Sequence, residues 1–140
     1  MNTAPKWFRP LASAALLWNL AGCYAYLLDV RRTPEELARM SADMQALYAA
    51  RPAWAVGATA TGVWLGAIGC AGLVMRRRWA VPLLVMSLLG VIVQDVALFG
   101  LAHAATLVGA APLVLQGLVL LVAIGLVLLA RRAAREGWLS

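Results

Sequence analysis

The sequence predicts an all-α integral membrane protein, a bundle of four spanning helices with a short amphipathic helix in the first outer loop. Three observations carry that prediction. Apolar residues make up 64% of the 140 residues and charged residues only 13%, against roughly 45–50% and about 25% in soluble domains. A soluble chain this short buries too small a share of its surface to hide so much apolar area. The apolar residues gather into four runs, each near the ~20 residues that a helix needs to cross a hydrocarbon core of about 30 Å. Basic residues lie where those runs stop. At this length the chain reads as one domain, residues 1–140.

Backbone groups in lipid must find partners within their own segment, so each run is expected to be helical. The first run, residues 11–28, is the shortest and carries Asn19. Its Leu20-Ala21-Gly22-Cys23 fits a lipoprotein cleavage site behind Lys6 and Arg9. Cleavage there would leave three spans. The apolar run continues past Cys23 through Tyr24-Ala25-Tyr26-Leu27-Leu28, however, where a processed lipoprotein opens on a polar linker, and this favours a retained helix. In the first outer loop, Thr33-Pro34-Glu35-Glu36 reads as a helix start: threonine caps, proline suits the first helical position, and Glu36 returns a bond to the cap. Leu37, Met40, Met44 and Leu47 follow at helical spacing, and Glu35 precedes Arg39 by four residues. A weakly amphipathic helix over 34–49 is expected, ended by Pro52. It would be an ordered connector or a lid.

The second run, residues 53–75, carries Ala58, Gly62, Gly66 and Cys70 at four-residue intervals, with Gly69 alongside. Such a ladder of small residues admits a second helix closely, within the bundle or between protomers. The third and fourth runs are residues 80–102 and 112–130, and Gly117 and Gly125 of the fourth share a face that could be the ladder's counterpart.

Orientation follows from the basic residues. Lys6, Arg9, Arg76, Arg77, Arg78, Arg131, Arg132 and Arg135 fall on one side, and Arg31, Arg32, Arg39 and Arg51 on the other. The heavier side is expected to be cytoplasmic, which puts both termini inside. Trp7, Trp79 and Trp138 stand beside the heavier clusters, and Tyr26 and Trp54 near the opposite boundary, as interfacial rings should. The same distribution accounts for the net charge of +6 without nucleic acid, since no basic stripe interleaves with aromatics.

Polar residues inside the spans are the candidate site. Asp95 is the clear ionisable residue there, with Gln94 beside it. At 1.5 Å rise per residue, Asp95 and Gln116 each lie about 6 Å outward of their run centres. Thr59 and Thr61 reach that level in the second run, and in the first Asn19 is central while Cys23 lies about 6 Å outward. Asn19, Gln94, Asp95 and Gln116 are therefore read as one polar layer that binds a substrate or relays a proton. The bland alternative is an aspartate hydrogen-bonded to Gln116, Asn19 or a threonine, fixing helix register. No second carboxylate lies in the spans, so paired acid chemistry is unsupported. His103, near the outer boundary, has no metal-ligand spacing around it and reads as a solvated helix cap. Cys23 and Cys70 lie too far apart along the membrane normal for a disulfide. With no nucleophile elbow or phosphate-cradling loop either, no enzyme activity, metal or cofactor is predicted.

Several segments act together as a signature: Pro5-Lys6-Trp7-Phe8, Leu17-Trp18-Asn19-Leu20, Thr33-Pro34-Glu35 before Leu47-Tyr48, Pro52-Ala53-Trp54, Arg77-Arg78-Trp79-Ala80 with Pro82-Leu83, and Ala134-Arg135-Glu136-Gly137-Trp138. In order and spacing the chain resembles, over nearly its whole length, a family of small four-span bacterial inner-membrane proteins often labelled "sugar transporter". The resemblance implies an intact first span and small-solute transport. Two functions follow as expectations. One is a sugar-like solute transporter or transport subunit, assembled as an oligomer because four helices enclose little interior. The other is a non-catalytic membrane scaffold that packs on a partner membrane protein through Ala58, Gly62, Gly66 and Gly69. A third, a lipid-interacting envelope protein, rests only on the basic inner fringe.

Overall fold

The computed structural model describes residues 4–101 and 110–140, with side chains for 4–98 and 114–140. Helix α1 spans Phe8–Val30, α2 Pro34–Ala38, α3 Ala42–Ala50, α4 Ala53–Val74, α5 Ala80–Asp95 and α6 Ala110–Arg135, and no strand occurs among the described residues. Four segments are long and apolar enough to cross a membrane: Phe8–Val30, Ala53–Val74, Ala80–Leu98 and Val114–Arg135. Their outward faces are apolar. Leu17, Leu121 and Val114 are 67–70% exposed, a surface matched to hydrocarbon rather than to water. The chain is an all-α four-helix bundle and a multi-pass membrane protein.

Helices α1 and α6 run on past their apolar runs, the third span changes character inside its own, and α4 matches its run to within one residue. Helix α1 begins before residue 11, because Pro10 lies in its first turn, where an N–H has no intrahelical acceptor and the ring breaks nothing. It also takes in Asp29 at its other end. The third run does not stay α-helical over 80–102: after Asp95 it widens into a π-helical stretch, Val96–Leu101. Residue 102 and His103 lie outside the described residues.

The first loop corrects the expectation of one helix over 34–49. The capping box at Thr33 and Glu36 forms, but α2 ends after five residues and a new helix starts at Ala42. Ser41 is the cause. Its hydroxyl accepts from the Met44 N–H at 3.3 Å and caps a second start, the local competition by which serine interrupts a helix. Gln45 stitches the break, its amide donating to Met40 O at 2.9 Å and Ala38 O at 3.3 Å. Glu35 and Arg39 do not pair.

Helix α1 packs on α4, α4 on α5 and α5 on α6, whereas α1 and α6 share no extended seam among the described residues. The α4–α5 contact is the closest and uses the small-residue ladder. A Cβ on Gly62 would meet Val91 at 3.1 Å, one on Gly69 would meet Leu84 at 2.7 Å, and one on Gly90 would meet Ala58 O and Gly62 N at 2.8 Å. The ladder's counterpart is thus Leu84, Gly90 and Val91 of α5. Gly117 and Gly125 of α6 have nothing within 4 Å of such a Cβ and do not serve.

The end of the bundle that carries the termini is solidly packed, with Phe8, Leu73, Leu84, Leu126 and Trp138 in one core cluster. Helices α4 and α6 both close there with a left-handed residue after the last turn. Gly137 (φ 77°) does so after α6, and Trp138 N–H donates to Ala133 O at 2.8 Å. Arg76 (φ 59°) holds the equivalent position after α4, with Arg77 N–H donating to Gly72 O at 2.8 Å. A non-glycine residue is strained in this conformation. The contacts around it hold Arg76 in place, since Nε donates to Trp138 O at 2.9 Å and its carbonyl accepts from Ser140 N–H at 2.8 Å. Trp7, Phe8 and Trp138 meet edge to face at 5.5–6.4 Å between centroids and clasp α1 to the tail after α6.

Candidate functional site

At the loop end the four spans do not fill the space between them. A cavity of about 580 Å³ lies there. From Asp29 at its mouth to Asn19 at its floor is ten residues of α1, or about 15 Å. The floor is closed by Leu84 and Leu126, both members of the packed core. The cavity is therefore blind toward the termini.

The floor's polar group is Asn19. Its amide donates to Ala15 O at 2.9 Å and to Cys70 Sγ at 3.4 Å. Asn19 fits against α4 because Gly66 has no side chain: a Cβ there would collide with Asn19 Oδ1 and stand 3.0 Å from Ser87 Oγ. Ser87, buried on α5, donates to Gly62 O at 2.6 Å. Small residues on α4 thus make room for polar groups brought by α1 and α5. Higher in the cavity, Gln94 of α5 donates to Gln116 of α6 at 3.2 Å, a polar link across that seam. Thr59 and Thr61 turn back on their own helix, to Ala55 O and Gly57 O, both at 3.0 Å. Cys23 donates to Val63 O at 3.4 Å. Both cysteines are buried and free.

The single polar layer expected from axial depth therefore resolves into two levels, the Gln94–Gln116 pair above and the Asn19 knot below. Asn19, Gln94 and Gln116 line the cavity; Asp95 does not. Consecutive residues on a helix stand about 100° apart, and here that turn carries Asp95 off the cavity that Gln94 lines. Asp95 is half-buried at the last α-helical position before the π stretch, and its Oδ1 is buried without a hydrogen-bond partner among the described residues. Among the described residues it bonds neither Gln116 nor Asn19 nor Thr59 nor Thr61, and Thr106 lies outside them.

The mouth holds residues that the sequence marked only as loop charges. Arg51 donates to Asp29 Oδ2 at 2.9 Å, the Tyr48 hydroxyl donates to Asp29 Oδ1, and Arg32 Nε stands 4.0 Å from the same oxygen. The Arg51 guanidinium also lies over the Tyr48 ring, 4.8 Å from its centroid. Burial first, then the hydrogen bond and charge of Asp29, push the Tyr48 hydroxyl above the ordinary tyrosine value of 10.0. This network ties α3 down, with Leu47 buried and Met44 half-buried at the cavity. The available signal was opposite charge at the two ends of the loop, Asp29 where α1 stops and Arg51 just before Pro52.

Fold and site together define a four-span membrane protein with a blind cavity roofed by a loop helix. No family model matches the chain, and no curated protein or solved structure matches it. Among the described residues no cluster of His, Cys, Asp or Glu has metal-holding geometry.

Proposed function

We propose that this protein is a small-solute transporter or transport subunit of the bacterial inner membrane, with both termini in the cytoplasm and the cavity facing out. The cavity of about 580 Å³ carries this reading, because a pre-formed concavity of some 300–1,000 Å³ with a few placed polar groups is what small-molecule sites have in common. The orientation rests on the basic residues at the packed end, Arg76, Arg77, Arg78, Arg131, Arg132 and Arg135. A transport cycle would loosen the packed floor around Leu84 and Leu126 while the α3 roof closes. The resemblance to small four-span proteins labelled "sugar transporter" agrees with this reading.

The rival reading is a scaffold that grips a partner through Ala58, Gly62, Gly66 and Gly69. It loses its seam, since the glycines of that ladder are occupied by α1 and α5. Among the described glycines Gly57, Gly117 and Gly125 remain open, and self-association along the α6 face of Gly117 and Gly125 would supply the oligomer that a transporter of this size calls for.

The test is uptake into liposomes that hold purified protein, over a panel of sugars, organic anions and single-chain amphiphiles, with and without a proton gradient. Uptake should be lost in Val119→Trp, which fills the cavity, and kept in Asp95→Asn, which lies off it. No uptake of any solute would end the transport reading.

A further inference from the structure

We infer that the cavity's ligand is a single-chain amphiphile with an anionic head, a carboxylate or a phosphate, that enters sideways from the bilayer between α1 and α6. This rests on the reading that the cavity takes the solute, and it names the solute's class. Three independent observations converge on it.

The first is the wall. Between the Asn19 floor and the Asp29 mouth the lining is mainly apolar, with Val63, Val91, Leu98, Leu115 and Val119 around the Gln94–Gln116 pair. Those two amides already bond each other. A sugar presents hydroxyls around its whole rim and would leave most of them without partners against such a wall. An alkyl chain leaves none.

The second is the charge at the mouth. Asp29, Arg32 and Arg51 line it, two guanidinium groups to one carboxylate. Asp29 is engaged by Tyr48 and by Arg51, while Arg32 stands at the 4.0 Å limit of pairing and is exposed. The mouth thus carries one guanidinium more than it has carboxylates, and guanidinium forks match carboxylate and phosphate oxygens. A neutral head gains less from that charge, and a cationic head is repelled by it.

The third is the side opening. Helices α1 and α6 both line the cavity yet share no extended seam among the described residues. The Trp7–Phe8–Trp138 clasp joins the two sides at the terminal end. Nearer the mouth, Ala21 and Ala25 on α1 and Leu115 on α6 line the cavity and are exposed. An acyl chain can move through that gap without leaving hydrocarbon, and its charged head can stay at the level of Arg32 throughout.

The test is equilibrium binding to the full chain in phosphatidylcholine nanodiscs, with empty discs subtracted. The probes are radiolabelled dodecyl phosphate and dodecanoate, dodecanol as the neutral analogue, and inorganic phosphate and glucose as chainless controls. Both dodecyl anions should saturate at one per chain, with dodecanol and the chainless probes at least about tenfold weaker. Arg32→Gln, which leaves the Asp29–Arg51 pair in place, should weaken the anions about tenfold and leave dodecanol unchanged. Val119→Trp and Ala123→Phe fill the cavity from two positions. At least one should fold, by its thermal melt, and the folded variants should lose saturable binding. Equal binding of dodecanol, or anion binding that survives in a folded cavity-filled variant, overturns the inference. Glucose binding and uptake without amphiphile binding overturns it and leaves the transport reading standing. Saturable anion binding without movement of any solute across liposomes supports it and removes transport instead.

Discussion

Replacing Gly90 with alanine should force α4 and α5 apart. The new methyl group would stand 2.8 Å from both Ala58 O and Gly62 N, and 3.2 Å from the Thr61 Cβ. The first two are backbone atoms of α4 and cannot rotate away. To reach ordinary van der Waals distance the helices must separate by about 0.6 Å along their tightest contact, and dispersion contacts on both sides of the seam are then lost. Overpacking of this kind costs about 1–3 kcal/mol. Alanine's intrinsic helix advantage over glycine, up to about 1 kcal/mol, offsets part of that. The net loss should be about 1–2 kcal/mol, a fall of several degrees in the melting temperature. Thermal unfolding in detergent micelles, followed by circular dichroism, measures it. Gly117→Ala is the internal reference, because nothing lies within 4 Å of its added methyl group, and its melting temperature should hold or rise. If Gly90→Ala and Gly117→Ala melt together, α4 and α5 are not in the backbone contact described, and the reasoning fails.

Two further predictions concern polar contacts. In a double-mutant cycle, Gln94→Leu and Gln116→Leu should each destabilise the bundle, while the double mutant costs less than their sum; the coupling should be about 0.6–2 kcal/mol for one interhelical bond, and additive losses would show that the two amides do not meet. Tyr48 should make the loop-end tether sensitive to alkali. Its folded pKa lies above the unfolded value, so the contribution of its neutral hydroxyl is complete below about pH 10 and is lost as pH rises through the raised folded value. Protection factors of the α3 amides, which remove the base catalysis of exchange itself, should fall only above that point in the native chain, and Tyr48→Phe should show low protection already at neutral pH; equal protection in both chains would mean that Tyr48 does not hold α3.

The parts of this protein legible in the sequence are those governed by composition along the chain. The four spans could be found because a helix needs a minimum apolar length to cross hydrocarbon, and run length is a property of the sequence alone. The start of α2 was equally plain, since its capping box is made by residues three apart, Thr33 and Glu36. The α4 ladder announced a packing face through Gly62, Gly66 and Gly69, although not its partner. Legibility ended where two local signals competed. At Met40–Ser41 the apolar spacing continues, but the serine caps a new helix instead.

Depth in the membrane can be reckoned from residue count, and it placed Gln94, Asp95 and Gln116 at one level; direction around the helix axis cannot be assigned until the neighbours are known. Packing put Gln94 against Gln116 and left Asp95 off the cavity. It also brought Asp29 to Tyr48 and Arg51, residues 19 and 22 positions away. No periodicity relates those three, and only the close of α1 onto α4 brings them together. The sequence by itself determined that the chain crosses the membrane four times, because transfer of apolar side chains into lipid depends on each segment alone. The tertiary structure decided where the bundle is solid and where it is hollow, because that depends on which faces meet.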